Sequence, residues 1–169
     1  MSDPARRQLA ALARIDDQFR EMGIDYWLFG GWGVDFHAGA VTRTHDDVDI
    51  AIWLDDLACI VELLETDGWC HAPYPDEDGG TGYERDGIRL ELTFLVRRED
   101  GGIYMPFGHG YVRWPDETLP GSPIELLGTR ARVVGLSALA EMKSSPRDEA
   151  ADAEKDRADY GALRGILPA

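Results

Sequence analysis

The stretch from Phe29 to Trp53, FGGWGVDFHAGAVTRTHDDVDIAIW, constrains this chain more than any other. It sets a Gly-Gly pair behind a short apolar run, continues with a helix-sized segment, and ends on Asp46-Asp47-Val48-Asp49-Ile50. Residues i and i+2 of a β-strand point to the same face. Asp47 and Asp49 therefore project together, while Val48 and Ile50 face the opposite, apolar side. Two carboxylates held that close repel unless a cation lies between them. A pair offering only oxygen suits Mg²⁺, which takes one or two carboxylates plus substrate phosphate oxygens. A solvated strand end with two acids by chance has the same local spelling. The Gly-Gly pair, one connecting helix away, favours the cation.

Taken in order, GG-W, a helix and T-R-T-H-D-D-V-D-I resemble the polymerase-β-like nucleotidyltransferases. Within them they resemble the small antibiotic-modifying branch, the aminoglycoside (2''-type) and lincosamide nucleotidyltransferases. The likeness is carried by Tyr26 to Ile52 and thins afterwards. It implies that Gly30 and Gly31 contact a nucleoside triphosphate and that Asp47 and Asp49 hold two Mg²⁺ ions. It also implies a third carboxylate on a later strand, and lysines near a C-terminal K-D-x-x-D helix that help to hold the triphosphate.

Glu91 is the candidate for that third carboxylate. Asp86-Gly87 is a favoured two-residue hairpin turn. The strand leaving it, Ile88 to Val96, alternates Ile88, Leu90, Leu92 and Phe94 against Arg89, Glu91, Thr93 and Leu95. Such a strand can return Glu91 beside Asp47 and Asp49. Equally, Glu91 can pair with Arg89 on an exposed face. The family often has Asp at this place, so the longer Glu leaves open whether it ligates metal, takes a proton, or both.

The remaining elements follow from periodicity and punctuation. Ser2 or Asp3 caps a first helix with Pro4 in its first turn, Leu9, Leu12, Ile15, Phe19 and Met22 give it one apolar face, and Gly23 stops it. Ile24 to Phe29 reads as a strand, Trp32 to His37 as a short helix, and Arg43 to Ile52 as turn and strand. Arg43, Thr44 and His45 stand where phosphate or acceptor contacts are possible; His45 can also simply orient the turn, and His37 reads as a helix-end residue. Asp55 to Asp67 is a second amphipathic helix, Trp69 to Ala72 a strand, and Pro73 to Thr81 a loop that Tyr74, Asp76, Glu77 and Asp78 make acidic. The stretch to Pro123 mixes Tyr104, Phe107, Tyr111 and Trp114 with Gly and Pro, as a binding-site wall or as core. Thr129 to Val134 reads as a last strand.

Ser137 is placed as the cap of a C-terminal helical segment broken at Ser144-Ser145-Pro146. Leu139, Met142, Ala158, Leu163 and Ile166 are its sheet-covering residues. Lys143 and Lys155 are the candidate triphosphate lysines, and the bland alternative is exposed ion pairs such as Lys155 with Asp159 four residues on. Residues 1–136 thus form a catalytic core, and residues 137–169 a helical segment packed on it in one compact unit. The fold class is α+β: a mixed, mainly antiparallel sheet, helices packed on it, and C-terminal helices closing a cleft.

Composition bounds the partners. The chain has 169 residues, 44% of them hydrophobic, and a formal charge of −15. That charge argues against a nucleic-acid partner, which needs a basic footprint, and suits a cationic small molecule. Cys59 and Cys70 are too few and too scattered for a disulfide framework or a zinc site. The N-terminus has no apolar signal region and no stretch approaches transmembrane length, the expectation for a cytoplasmic protein without membrane contact.

The implied reaction is transfer of a nucleoside monophosphate, AMP from a favoured ATP, to a hydroxyl of a small molecule, with release of pyrophosphate. The resemblance and the charge favour an aminoglycoside antibiotic; a lincosamide or another small acceptor is the alternative. A nucleotidyltransferase-fold toxin or a nucleotide-binding module acting on a macromolecule is a further one. The expected working set is Asp47, Asp49 and Glu91 as catalytic residues and metal ligands, with Gly30, Gly31, Arg43, Lys143 and Lys155 on the nucleotide.

Overall fold

The computed structural model describes residues 2–73, 79–115, 118–144 and 150–167. Tyr74, Asp76, Glu77 and Asp78 of the expected acidic loop lie outside the described residues, as do Ser145 and Pro146 of the expected helix break.

Helix α1 (Asp3–Met22) starts at Ser2, whose hydroxyl accepts from the Ala5 N–H, and ends at Gly23 in the left-handed conformation. Its buried stripe is Ala5, Leu9, Leu12, Ile15 and Phe19. Met22, expected on that stripe, is exposed, because Gly23 turns the chain before that side meets the sheet. Strand β1 (Tyr26–Leu28) leads into α2 (Gly30–Ala38), closed by Gly39. The helix thus begins at the glycine pair, two residues ahead of the expected Trp32. Strand β2 (Asp47–Trp53) follows, then a 3₁₀ turn and α3 (Leu57–Thr66).

A meander completes the sheet: β3 (Cys70–His71), β4 (Gly80–Arg85), β5 (Ile88–Arg97), β6 (Ile103–Phe107) and β7 (Gly110–Arg113). The main order is β1-β2-β5-β4-β3, and the far end of β5 also pairs with β6. Among the described residues β2 and β5 are the parallel pair; the other ladders are antiparallel. The hairpin β8 (Ile124–Leu126) and β9 (Thr129–Ala131) is separate, and Val133 bridges in parallel to Leu28.

Alternation on β2 divides two cores. Val48, Ile50 and Ile52 pack with α1 and α3 on one face. Ala51 faces the other way, with Trp27, Leu95 and Trp114 and with residues of α4 (Leu136–Ser144) and α5 (Ala150–Arg164). The carboxylates of β2 are on this second face. Ser137, expected as a cap, lies inside α4. Leu139 and Leu163 are buried as expected, whereas Ala158 and Ile166 are exposed. Among its described side chains α5 buries Asp156, Asp159 and Leu163.

Candidate active site

The parallel register of β2 and β5 pairs Asp49 with Glu91 and Asp47 with Arg89. Asp47, Asp49 and Glu91 are half-buried, and each offers a carboxylate oxygen within 4.8 Å of the others. The two readings of Glu91 prove compatible: it joins the cluster, and one of its oxygens accepts from Arg89 Nε at 2.9 Å. A set of oxygen donors this close, open to a cleft, matches a hard divalent cation such as Mg²⁺.

The Gly-Gly turn is fitted to these carboxylates. Gly30 has φ 61°, and a Cβ built there would overlap the Asp49 carboxylate. A Cβ on Gly31 would overlap Arg43 Nη2 and His45 Nδ1. The backbone also ties turn to strand, since the Phe29 N–H donates to Asp49 O at 3.0 Å. Glycine is needed here for backbone conformation and for close approach together.

Below this turn lies a pair that periodicity missed in part. Asp35 is fully buried on α2, and its Oδ2 meets His45 Nε2 at 2.6 Å. Its Oδ1 accepts from the Thr42 N–H at 3.0 Å and from the Thr42 hydroxyl. Gln8 Nε2 donates to the His45 carbonyl at 3.1 Å, and the His45 ring lies 4.5 Å from that of Trp32. His45 is therefore a buried residue that orients the turn. The available signal for Asp35 was a lone acid between Val34 and Phe36 on an apolar helix.

The expected cations gather around the same cleft, each held by an acid. Arg43 Nε and Nη2 donate to the two oxygens of Asp159 at 2.8 and 2.9 Å, and Nη1 donates to Thr44 O. Lys143 Nζ lies 2.9 Å from Asp156 and 2.8 Å from Asp159. Lys155 reaches Asp46 at 2.8 Å. Asp159 is thus held by cations from two other elements, whereas Lys155, expected to pair with it on their own helix, reaches Asp46. Burial disfavours the Asp159 carboxylate, yet the hydrogen bonds from Arg43 and Lys143 outweigh it and hold its pKa below the usual range. The hydrogen bond and charge of Lys155 do the same for Asp46.

Together these residues line a cleft of about 680 Å³. Gly30, Gly31, Arg43, Lys143 and Lys155 line it, and so do Phe29, Thr93, Met105, Val112 and Trp114. Of the aromatics between Arg97 and Pro123, Trp114 is buried and lines the cleft, stacked edge-on with Phe29 at 5.6 Å. Phe107 and Tyr111 are exposed.

The chain is similar to known proteins in sequence and in fold. A lincosamide resistance protein of Staphylococcus haemolyticus is 40% identical over 55 residues, covering 32% of this chain and 34% of that protein. A 2''-aminoglycoside nucleotidyltransferase of Escherichia coli is 40% identical over 60 residues, covering 34% of each. The matched stretch thus spans about a third of the length of these curated relatives. The crystal structure of lincosamide antibiotic adenylyltransferase LnuA with lincomycin bound superposes with a TM-score of 0.73 at 24% identity, over 92% of this chain and 96% of that one, a likeness of fold. The family model for aminoglycoside-2''-adenylyltransferase matches residues 11–138, which include the Gly-Gly turn, the D-x-D strand and Glu91. On that match over most of its length, the chain belongs to the aminoglycoside-2''-adenylyltransferase family of nucleotidyltransferases.

Proposed function

We propose that this protein transfers AMP from ATP to a hydroxyl of an aminoglycoside, releasing pyrophosphate. The observation that carries the reading is the convergence of Asp47, Asp49 and Glu91 beside the Gly30 turn. These three carboxylates would hold Mg²⁺, which when bound neutralises phosphate charge and activates the phosphoryl centre as a Lewis acid. Gly30 and Gly31 offer backbone N–H groups to the triphosphate at the start of α2, where the helix dipole favours an anion. Arg43, Lys143 and Lys155 stabilise charge that grows on the leaving pyrophosphate. Glu91 takes the proton of the acceptor hydroxyl as its oxygen bonds to the α-phosphorus and the bond to the β-phosphate bridge breaks.

The family match and the net charge of −15 support an aminoglycoside acceptor. A lincosamide is the second reading, favoured by Phe29, Met105, Val112 and Trp114 in the cleft wall, which suit a less charged molecule. The deciding experiment is pyrophosphate release with Mg²⁺, each nucleoside triphosphate, and a panel of both antibiotic classes. Acceptor-dependent release is expected, abolished by EDTA, restored by Mg²⁺ and lost in Asp49→Ala. Release with lincosamides alone would transfer the assignment to that class. Absence of release with every acceptor would remove the antibiotic reading.

A further inference from the structure

Helix α5 lies beyond the residues that the family model matches. Two of the three buried positions among its described side chains are carboxylates, Asp156 and Asp159. Buried carboxylates need partners to remain ionised, and Asp159 takes two cations from two different elements. Arg43, on the connection between α2 and β2, grips both its oxygens; Lys143, on α4, bonds Asp159 and Asp156. The Asp159 side chain is 1% exposed, Lys143 10% and Arg43 22%, so the joint is largely shielded from water.

We infer that Asp159 is a positioning residue for nucleotide binding, fixing Arg43 and Lys143 in the cleft wall with donors to spare for phosphate oxygens. The inference rests on the reading of this cleft as the nucleotide site. Among the described residues, Asp159 and Thr44 use three of the five guanidinium N–H donors, and Asp156 and Asp159 two of the three ammonium donors. The remaining donors sit on side chains whose rotamers folding has already fixed. Long cations otherwise lose that freedom when ligand binds, which weakens binding. Gly31 lies so near the guanidinium that a Cβ there would overlap Arg43 Nη2.

A competing effect makes the sign decisive. If Asp159 only neutralised the cations, Asp159→Asn would expose positive charge and tighten nucleotide binding. Positioning requires the reverse. The test is titration calorimetry of ATP with Mg²⁺ on the whole chain, below the melting temperature, together with KM for ATP and for the acceptor. Asp159→Asn is expected to weaken ATP binding and raise its KM about tenfold, with the acceptor KM unchanged. Asp156→Asn, which leaves the Arg43–Asp159 pair intact, is expected to have a smaller effect in the same direction. Equal or tighter ATP binding by Asp159→Asn overturns the inference. If that variant does not fold, Asp159→Glu keeps the charge but shifts the carboxylate by one methylene. Weaker ATP binding in it is expected, and wild-type affinity overturns the inference. If the unaltered protein binds none of the four nucleoside triphosphates, the nucleotide site itself falls, and the inference with it.

Discussion

Gly30 has a backbone conformation that a side chain adopts at a cost, and it has no room for one, because Asp49 occupies the space. Gly30→Ala adds strain of about 1–2 kcal/mol and displaces a carboxylate of the triad. A shift of that kind near reacting atoms costs roughly a hundredfold in rate. Turnover of Gly30→Ala is therefore expected to fall at least that far while its circular dichroism stays native. Wild-type turnover would mean that Asp49 is not needed where it stands. Legibility at this scale was uneven. The Gly-Gly and D-x-D spellings pointed to phosphate and metal, but Asp49 as the reason for Gly30 is a contact across 19 residues that no local pattern contains. Asp35 was harder, because a buried acid reads in sequence as a surface residue until its pairing with His45 is seen.

At the scale of elements, the β4–β5 hairpin decides whether Glu91 meets the other carboxylates. Asp86 and Gly87 both have positive φ, 52° and 73°, as a two-residue turn of this hand requires. The register it sets places Glu91 opposite Gly82 on one side and Asp49 on the other. A slip of one residue would send Glu91 to the core face and Leu90 or Leu92 to the cleft. A Cβ on Gly87 meets nothing, so Gly87→Ala is a pure test of backbone strain. It is expected to lose about 1–2 kcal/mol in urea denaturation with turnover per folded molecule retained. A much larger loss, or lost turnover in folded protein, would show that the turn does more than set register. This hairpin and the capped α1 were legible because their signals are local. The face of α5 was not. Hydrophobic periodicity chose Ala158, Leu163 and Ile166, whereas the helix buries Asp156, Asp159 and Leu163, spaced for one face but two of them acidic. A stripe closed by ion pairs is invisible to a search for apolar residues.

Across the whole molecule, ion pairs that join distant segments make stability depend on pH. Asp159 ties α5 to α4 and to the α2–β2 connection; Asp67 ties the end of α3 to Arg14 of α1 and Arg85 of β4. In both, burial opposes ionisation but the arginine bonds, with Lys143 at Asp159, prevail and depress the carboxyl pKa. The folded chain then binds fewer protons than the unfolded one. Its extra stability is present above the ordinary carboxylate pKa, near 4, and is lost as pH falls through the depressed values. Melting temperature is accordingly expected to drop below about pH 4. Asp159→Asn should lower the neutral-pH value, by about 3 kcal/mol in stability, and flatten the acid limb. An acid limb as steep as that of the unaltered chain would assign the dependence to other groups.

By itself the sequence determined the α+β class, the capped first helix, the hairpin turn, and the two strands whose alternation separates an apolar face from an acidic one. Each of these is written in residues a few positions apart, where backbone sterics and side-chain period act directly. Tertiary structure alone decided which distant groups complete the site: Glu91 beside Asp49 through a parallel pairing, Asp35 under His45, and Asp159 between Arg43 and Lys143. The reason is physical. A charge tolerates burial only with a partner, and the chain finds that partner through the packing of whole elements rather than through neighbours in sequence.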